Sequence, residues 1–308
     1  VAQLEGTPRE AITSSLSGRF ASILLALEIV VKMSASLLQG TFLQWRLCEP
    51  LISLKTMFFM FAGTAALMIA VMSNIREPPK QLPNGEAPLS KPRCCDSLKA
   101  AFSLWPSPEI WCLGTTNFTF GFAAGYMNGY VNGTFAKSSP VLGAGSIGTL
   151  LATTSFVAAS FSAVLGRVGH RLGKGVVLGS GSLFFGSIPL LVLLVPPTPD
   201  NGYWGSWLII LYVFQGLGRA IYESTNKAVF ADFFPGSQSV GAFSNCMMQN
   251  CLAFFLSFIL QTVLTDKSSL TWIVLVWASL IVPGYLVASA VRQAELRRAG
   301  EPLLSNQN

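Results

Sequence analysis

Long apolar blocks, most of them close to the roughly 20 residues that cross a bilayer, alternate with short polar connections along this chain. Within each block the apolar residues run continuously and do not alternate, which predicts membrane helices and not the strands of a barrel. Eight spans are expected, at 19–43, 51–73, 110–136, 141–165, 175–195, 204–221, 241–264 and 270–291. The one long polar segment, 76–108, is rich in proline and basic residues and reads as a linker. Its end, 97–105, has the pattern of a short amphipathic helix on the membrane surface. Between the fourth and fifth spans lies Gly-Arg-Val-Gly-His-Arg-Leu-Gly-Lys-Gly at 166–175, which predicts a tight basic turn.

Composition sharpens the class. Hydrophobic residues make up 51% of the chain and charged residues only 11%, against about a quarter charged in a soluble domain. The net charge is +6, but the cations are sorted by side and do not form a nucleic-acid patch. One side holds Arg9, Arg19, Arg76, Lys80, Lys91, Arg93, Lys99, Arg167, Arg171, Lys174, then Arg219 and Lys227 near a span end, and the tail arginines; the other holds Arg46, Lys137 and Lys267. The positive-inside rule then places both termini in the cytoplasm. Six cysteines are scattered without metal or disulfide spacing. Cys94-Cys95, beside basic residues, are either palmitoylation acceptors or two plain thiols. His170 is the single histidine, and no nucleophile motif or phosphate loop accompanies it. Neither an enzyme, a metal nor a cofactor is expected.

Polar residues inside the spans are the candidate sites. Glu28 and Lys32 lie four apart on one face of the first span, where a lone charge costs about 2.5–3.5 kcal/mol. They are either a coupling or substrate-charge site or a self-neutralised structural pair. Arg219, Glu223 and Lys227 form a second ladder at the cytoplasmic end of the sixth span, with Asp232 just beyond. This is either an inner gate or an interfacial charge cluster. Gly121, Gly125, Gly129 and Gly133 place a bare stripe on the third span, for close packing or for sliding. Asn128 lies off that stripe and is a candidate for a central cavity. Asn132-Gly133-Thr134 fits the glycosylation pattern but hugs the membrane. Gln215, and Asn245 with Gln249 four residues on and Asn250 adjacent, can bind substrate or join helices by hydrogen bonds of about 0.6 kcal/mol each.

The stretch Gly166-x-Val168-x-His170-Arg171-x-Gly173-Lys174 resembles the loop signature of the major facilitator superfamily, Gly-x-Leu-x-Asp-Arg-x-Gly-Arg. Gly166, Arg167, His170, Arg171, Gly173 and Lys174 are therefore expected at a cytoplasmic gate loop. His170 stands where the family has an acid, which the resemblance implies latches the loop to a neighbouring helix. The resemblance implies an all-α, major-facilitator-like helical bundle. Here it has about eight transmembrane helices and is N-terminally incomplete relative to twelve. Residues 1–75 then supply the last two helices of the N-terminal half and 76–108 the cytoplasmic linker. Residues 109–292 form a six-helix C-terminal half, and 293–308 a cytoplasmic tail.

Within the superfamily the chain resembles the Unc-ninety-three-like, ion-channel-regulatory proteins. The support is Leu165-Gly166-Arg167-Val168 with Gly173-Lys174, Phe214-x-Gly216-Leu217 leading to Asn226-x-Ala228, and Gly241-Ala242-Phe243-x-Asn245. That resemblance implies a protein that regulates or traffics other membrane proteins, with a channel or receptor as partner. The other expectation is a major-facilitator-type transporter of a small solute or ion. In both, the lipid bilayer is the constant partner.

Overall fold

A computed structural model describes residues 9–38, 94–299 and short stretches between 41 and 67. The described residues are mainly helical. Helix α1 spans Arg9–Leu38, and a two-residue antiparallel pair, β1 (Thr41–Phe42) and β2 (Trp45–Arg46), follows it. The first span therefore begins and ends earlier than 19–43. The polar residues before Arg19 stay helical because Ser14, Gly18 and Ala21 turn a small-residue face into the bundle and are buried. Most of the second span and of the linker, 68–93, lies outside the described residues.

Helix α2 (Cys94–Ser103) realises the amphipathic end of the linker. The third span is α3 (Pro108–Gly125), continued by a π-helical stretch at Tyr126–Ala136. Pro108 stands in its first turn, where the missing N–H costs nothing. A short 3₁₀ turn, Ala144–Ser146, leads into α4 (Ile147–Leu172), and α5 covers Lys174–Leu194. The tight turn expected over 166–175 is thus corrected to a single residue. The helix runs through Gly166 and Gly169, and Gly173 alone breaks it, at φ 81° and ψ 133°. Only glycine adopts that backbone without strain.

The sixth span is displaced in the opposite sense. Residues 204–208 belong to the irregular 3₁₀ segment Pro199–Leu208, where Tyr203 and Trp204 take positive φ. Helix α6 starts at Ile209 and runs to Ile221. It continues as a π turn, Tyr222–Asn226, into α7 (Lys227–Phe233). Helix α8 is Gln238–Val263. The last span divides into α9 (Ser268–Ser279) and α10 (Ile281–Ala299). Pro283 explains the break, since it lacks an N–H and crowds the carbonyl of Ser279 one turn back.

Among the described residues, five segments are long and apolar enough to cross a membrane: Ala11–Ser34, Ala144–Gly169, Lys174–Leu194, Gln238–Val263 and Ser268–Arg298. Helices α3 and α6 pack among them. Packing neighbours run in the order α1, α4, α6, α5, α9 with α10, α3 and α8, with α2 against α8. Helices α1 and α8 therefore stand at the two ends of a curved row. The concave side is filled by large buried aromatics, among them Tyr126, Phe185, Tyr212 and Tyr222, and leaves one central space.

Candidate functional site: a charged central cavity

The central space is a cavity of about 450 Å³ bordered by α1, α3, α4, α6 and α8. Its wall includes Glu28 and Lys32 from α1, Phe120, Met127 and Asn128 from the third span, Leu151 and Thr154 from α4, Tyr212, Gln215 and Arg219 from α6, and Asn250, Cys251 and Phe254 from α8. Such a volume suits a small organic solute.

The charges are arranged around one carboxylate. Lys32 Nζ sits 2.7 Å from Glu28 Oε1, as the i,i+4 spacing predicts. Arg219 reaches across from α6 and donates to both carboxylate oxygens, at 2.9 Å to Oε1 and 2.6 Å to Oε2. Lys32 also donates to Ser155 Oγ at 3.0 Å and to the Leu151 carbonyl at 3.3 Å. The cluster holds two cations and one anion, so it carries one positive charge in excess with Glu28 ionised.

This changes the reading of the Arg219–Glu223–Lys227 ladder. Arg219 pairs with Glu28 and not with Glu223, although Glu223 lies one turn along the same helix. Glu223, buried, and Lys227, partly buried, pair with each other off the cavity wall, and Lys227 lies 5.9 Å from the centre of the Tyr222 ring.

Three lining side chains each keep one buried polar atom without a hydrogen-bond partner among the described residues: Gln215 Oε1, Arg219 Nε and Asn250 Oδ1. Gln215 is only 5% exposed. Unpartnered groups of this kind are rare in folded interiors and call for an explanation.

Asn245 and Gln249 lie off the cavity wall. Asn245 donates to the Ala101 carbonyl at 2.8 Å and accepts from Trp105 Nε1 at 2.9 Å, which fastens the end of the linker to α8. Gln249 accepts from Asn117 Nδ2 at 2.7 Å and donates to the Ile110 carbonyl. Asn226 Nδ2 donates to Asn117 Oδ1 at 2.8 Å, so an amide chain ties the π turn, α3 and α8 together. Asn132 is buried within its π helix and accepts from the Tyr212 hydroxyl, a placement that leaves it closed to glycosylation.

The glycine stripe meets α8. An added Cβ at Gly121 would lie 2.6 Å from Ala253 Cβ, and one at Gly125 would lie 2.5 Å from Ser257 Cβ. Gly129 faces the Gln261 side chain, while nothing lies within 4 Å of a Cβ at Gly133. Partner numbers rise in step with stripe numbers, so α3 and α8 run parallel. Gly133 lies past the last turn of α8, which ends at Val263.

At the basic end of the bundle, Lys174 forms an ion pair with Asp232 of α7 and donates to Thr13 Oγ1 of α1 at 3.2 Å. Thr13 Oγ1 in turn donates to Asp232 Oδ1 at 3.0 Å. Three helices meet at this contact. The side chain of His170 lies outside the described residues. Arg167 and Arg171 are exposed, and Gly166 packs directly on Gly18 of α1.

Sequence periodicity found Glu28, Lys32, Asn128 and Gln215. It did not single out Thr154 or Tyr212, which sit as ordinary residues in apolar spans. Asn250 was visible only as the neighbour of Gln249, and the union of Asp232 with Lys174 had no local signal.

The family model described as Major Facilitator Superfamily matches residues 110–305, more than half of the chain. The chain belongs to that superfamily, and its membrane helices and central cavity are of a piece with this membership. Comparison with curated proteins and with solved structures gives no match.

Proposed function

We propose that this chain works as a major-facilitator-type membrane transporter that binds a small organic anion in the central cavity. The observation that carries the reading is the set of orphaned polar atoms on Gln215, Arg219 and Asn250 around a cluster with one positive charge in excess. A bound anion would offset the excess charge and, once a shift of the side chain uncovers it, accept from Arg219 Nε. Hydroxyl or amino groups on the same solute would donate to Gln215 Oε1 and Asn250 Oδ1. Protonation of Glu28 would leave two cations facing the cavity, so the site has the chemistry to take up a proton and an anion together. In this reading α1 supplies the cavity wall facing the 109–292 half through Glu28 and Lys32, 76–108 is the linker between the two parts, and both termini face the cytoplasm.

The test is uptake by the purified chain in liposomes, with labelled hydroxy- and amino-carboxylates against organic cations of equal size. Uptake of an anion, lost on Arg219→Gln and Gln215→Leu with folding intact, is the expected result. Absence of uptake for every anion, or transport that survives Arg219→Gln unchanged, overturns it.

The resemblance of the 165–245 region to Unc-ninety-three-like proteins supports a second reading, a regulator or trafficking partner of channels or receptors. Gly216, Asn226, Ala228, Gly241 and Asn245, which carry that resemblance, are all buried and serve the scaffold. Co-purification of a stoichiometric channel or receptor from native membranes, with no solute flux, would favour it over transport.

A further inference from the structure

A second cavity, of about 390 Å³, opens between α1 and α4 away from the central one. Its origin lies in a glycine crossing. A Cβ at Gly18 would lie 2.8 Å from the Gly166 backbone nitrogen and 2.9 Å from the Ser162 carbonyl, so the two helices nearly touch there. The next residue on each helix is an arginine. The crossing therefore sets Arg19 and Arg167 side by side, both exposed and both on the wall of the same groove. Ser15 and Ser22 add hydroxyls from the turns of α1 on either side.

Charge balance sets this groove apart from every other cation cluster described. Lys32, Lys174, Arg219 and Lys227 each hold a carboxylate. Among the described residues Arg19 and Arg167 hold none, and Arg167 donates only to the Ala163 carbonyl of its own helix, at 3.4 Å. Among the described residues no acidic side chain lines the groove. Two guanidinium forks and two hydroxyls converging on one space match the tetrahedral oxygens of a phosphate group.

The geometry points to a binding site for a phosphate-bearing anion here, filled by the headgroup of an anionic phospholipid. Arg167 lies five residues before the end of α4 at Leu172, roughly 7.5 Å along the axis at 1.5 Å per residue, which is headgroup depth for a membrane helix. Ile23 continues the groove wall towards the membrane interior, and Leu27 and Val30 extend it as an exposed apolar track on α1. An acyl chain can lie along that track while its phosphate sits between the arginines. Basic pockets between membrane helices bind anionic headgroups in this way. A free phosphate or a soluble phosphate ester would use the arginines but not the track.

The test uses the whole chain and is independent of transport. In the first arm, protein in a neutral detergent is offered equal phosphatidylserine and phosphatidylcholine, and retained lipid is read by native mass spectrometry. In the second arm, lipid-free protein is dialysed against labelled inorganic phosphate. The expected result is a preference for phosphatidylserine of about tenfold or more, the scale set by two such side chains near the headgroups. It should vanish in Arg19→Gln/Arg167→Gln and persist in Arg171→Gln, an exposed arginine just outside the groove. All three proteins should unfold at the same temperature. Equal retention of both lipids, or a preference that survives the double substitution, overturns the site. Phosphate binding that depends on Arg19 and Arg167 without any lipid preference overturns the headgroup assignment in favour of a soluble phosphate ligand.

Discussion

Arg219 grips Glu28 with both nitrogens of its guanidinium fork, across 191 residues of sequence. Its own helix offers it Glu223 one turn away, and the pairing ignores that neighbour. The fork makes the contact bidentate and fixes the relative rotation of α1 and α6. It also holds the cavity's only anion between two cations, among the described residues.

Removal of that anion should be costly. Glu28→Gln leaves Arg219 and Lys32 as unpaired like charges in a partly buried space. A loss of about 3 kcal/mol is expected, the lower end for breaking a buried pair because the cavity admits water. Thermal unfolding in detergent measures it. Glu28→Gln combined with Arg219→Met should recover part of the loss, and if the double variant is no more stable than Glu28→Gln, the pairing is not what holds α1.

Packing of α3 on α8 gives a graded prediction along one stripe. Gly121→Ala should destabilise by about 1–3 kcal/mol, because the Asn250 carbonyl and Ala253 leave no room for a methyl group. Gly133→Ala should stay within about 0.5 kcal/mol, since that position faces open space. Equal effects at the two positions would contradict the parallel register.

The join at Gly173 distinguishes two kinds of left-handed backbone. Its φ of 81° with ψ of 133° lies outside the small left-handed helical region that asparagine tolerates. Gly173→Ala and Gly173→Asn should therefore cost alike, about 1–3 kcal/mol. An asparagine variant as stable as the parent would show that the turn relaxes to a different shape.

The contact of Lys174 with Asp232 can be read by charge exchange. Lys174→Met and Asp232→Asn should each destabilise, and a double-mutant cycle should return a coupling of about 0.5–3 kcal/mol. Lys174→Asp with Asp232→Lys should restore part of the stability that either reversal loses alone. A coupling near zero would make the pair a surface accident, despite side-chain exposures of 10% and 14%.

Much of the helical architecture was legible because apolar blocks of bilayer length have few other fates. Boundaries moved where a single residue's backbone decided them. The helix runs to Leu172 through two glycines and stops at a third, and nothing in composition separates Gly173 from Gly169. The cavity was half legible. Glu28 with Lys32 announced itself, since charge within an apolar helix is expensive and four-residue spacing is local. Arg219 was noticed but assigned to Glu223, because periodicity reports neighbours on one helix and is blind to a partner brought in by folding. Tyr212 and Thr154 carried no signal at all, since a hydroxyl in an apolar span looks the same whether it faces a cavity or a neighbouring carbonyl.

The one-residue join between α4 and α5 has a mechanical consequence. The two helices touch each other little and both lean on α6, so they form a V with Gly173 at its apex and α6 within it. Thr154 on the cavity wall is roughly 29 Å from that apex at 1.5 Å per residue. A tilt of roughly 4° about Gly173 therefore displaces the wall by roughly 2 Å, an atom's width. Lys174 sits at the apex itself, where a small displacement on release from Asp232 and Thr13 has the longest arm to act through. Breaking the Lys174–Asp232 pair would therefore be expected to act on the cavity wall at Thr154 through the full length of that arm.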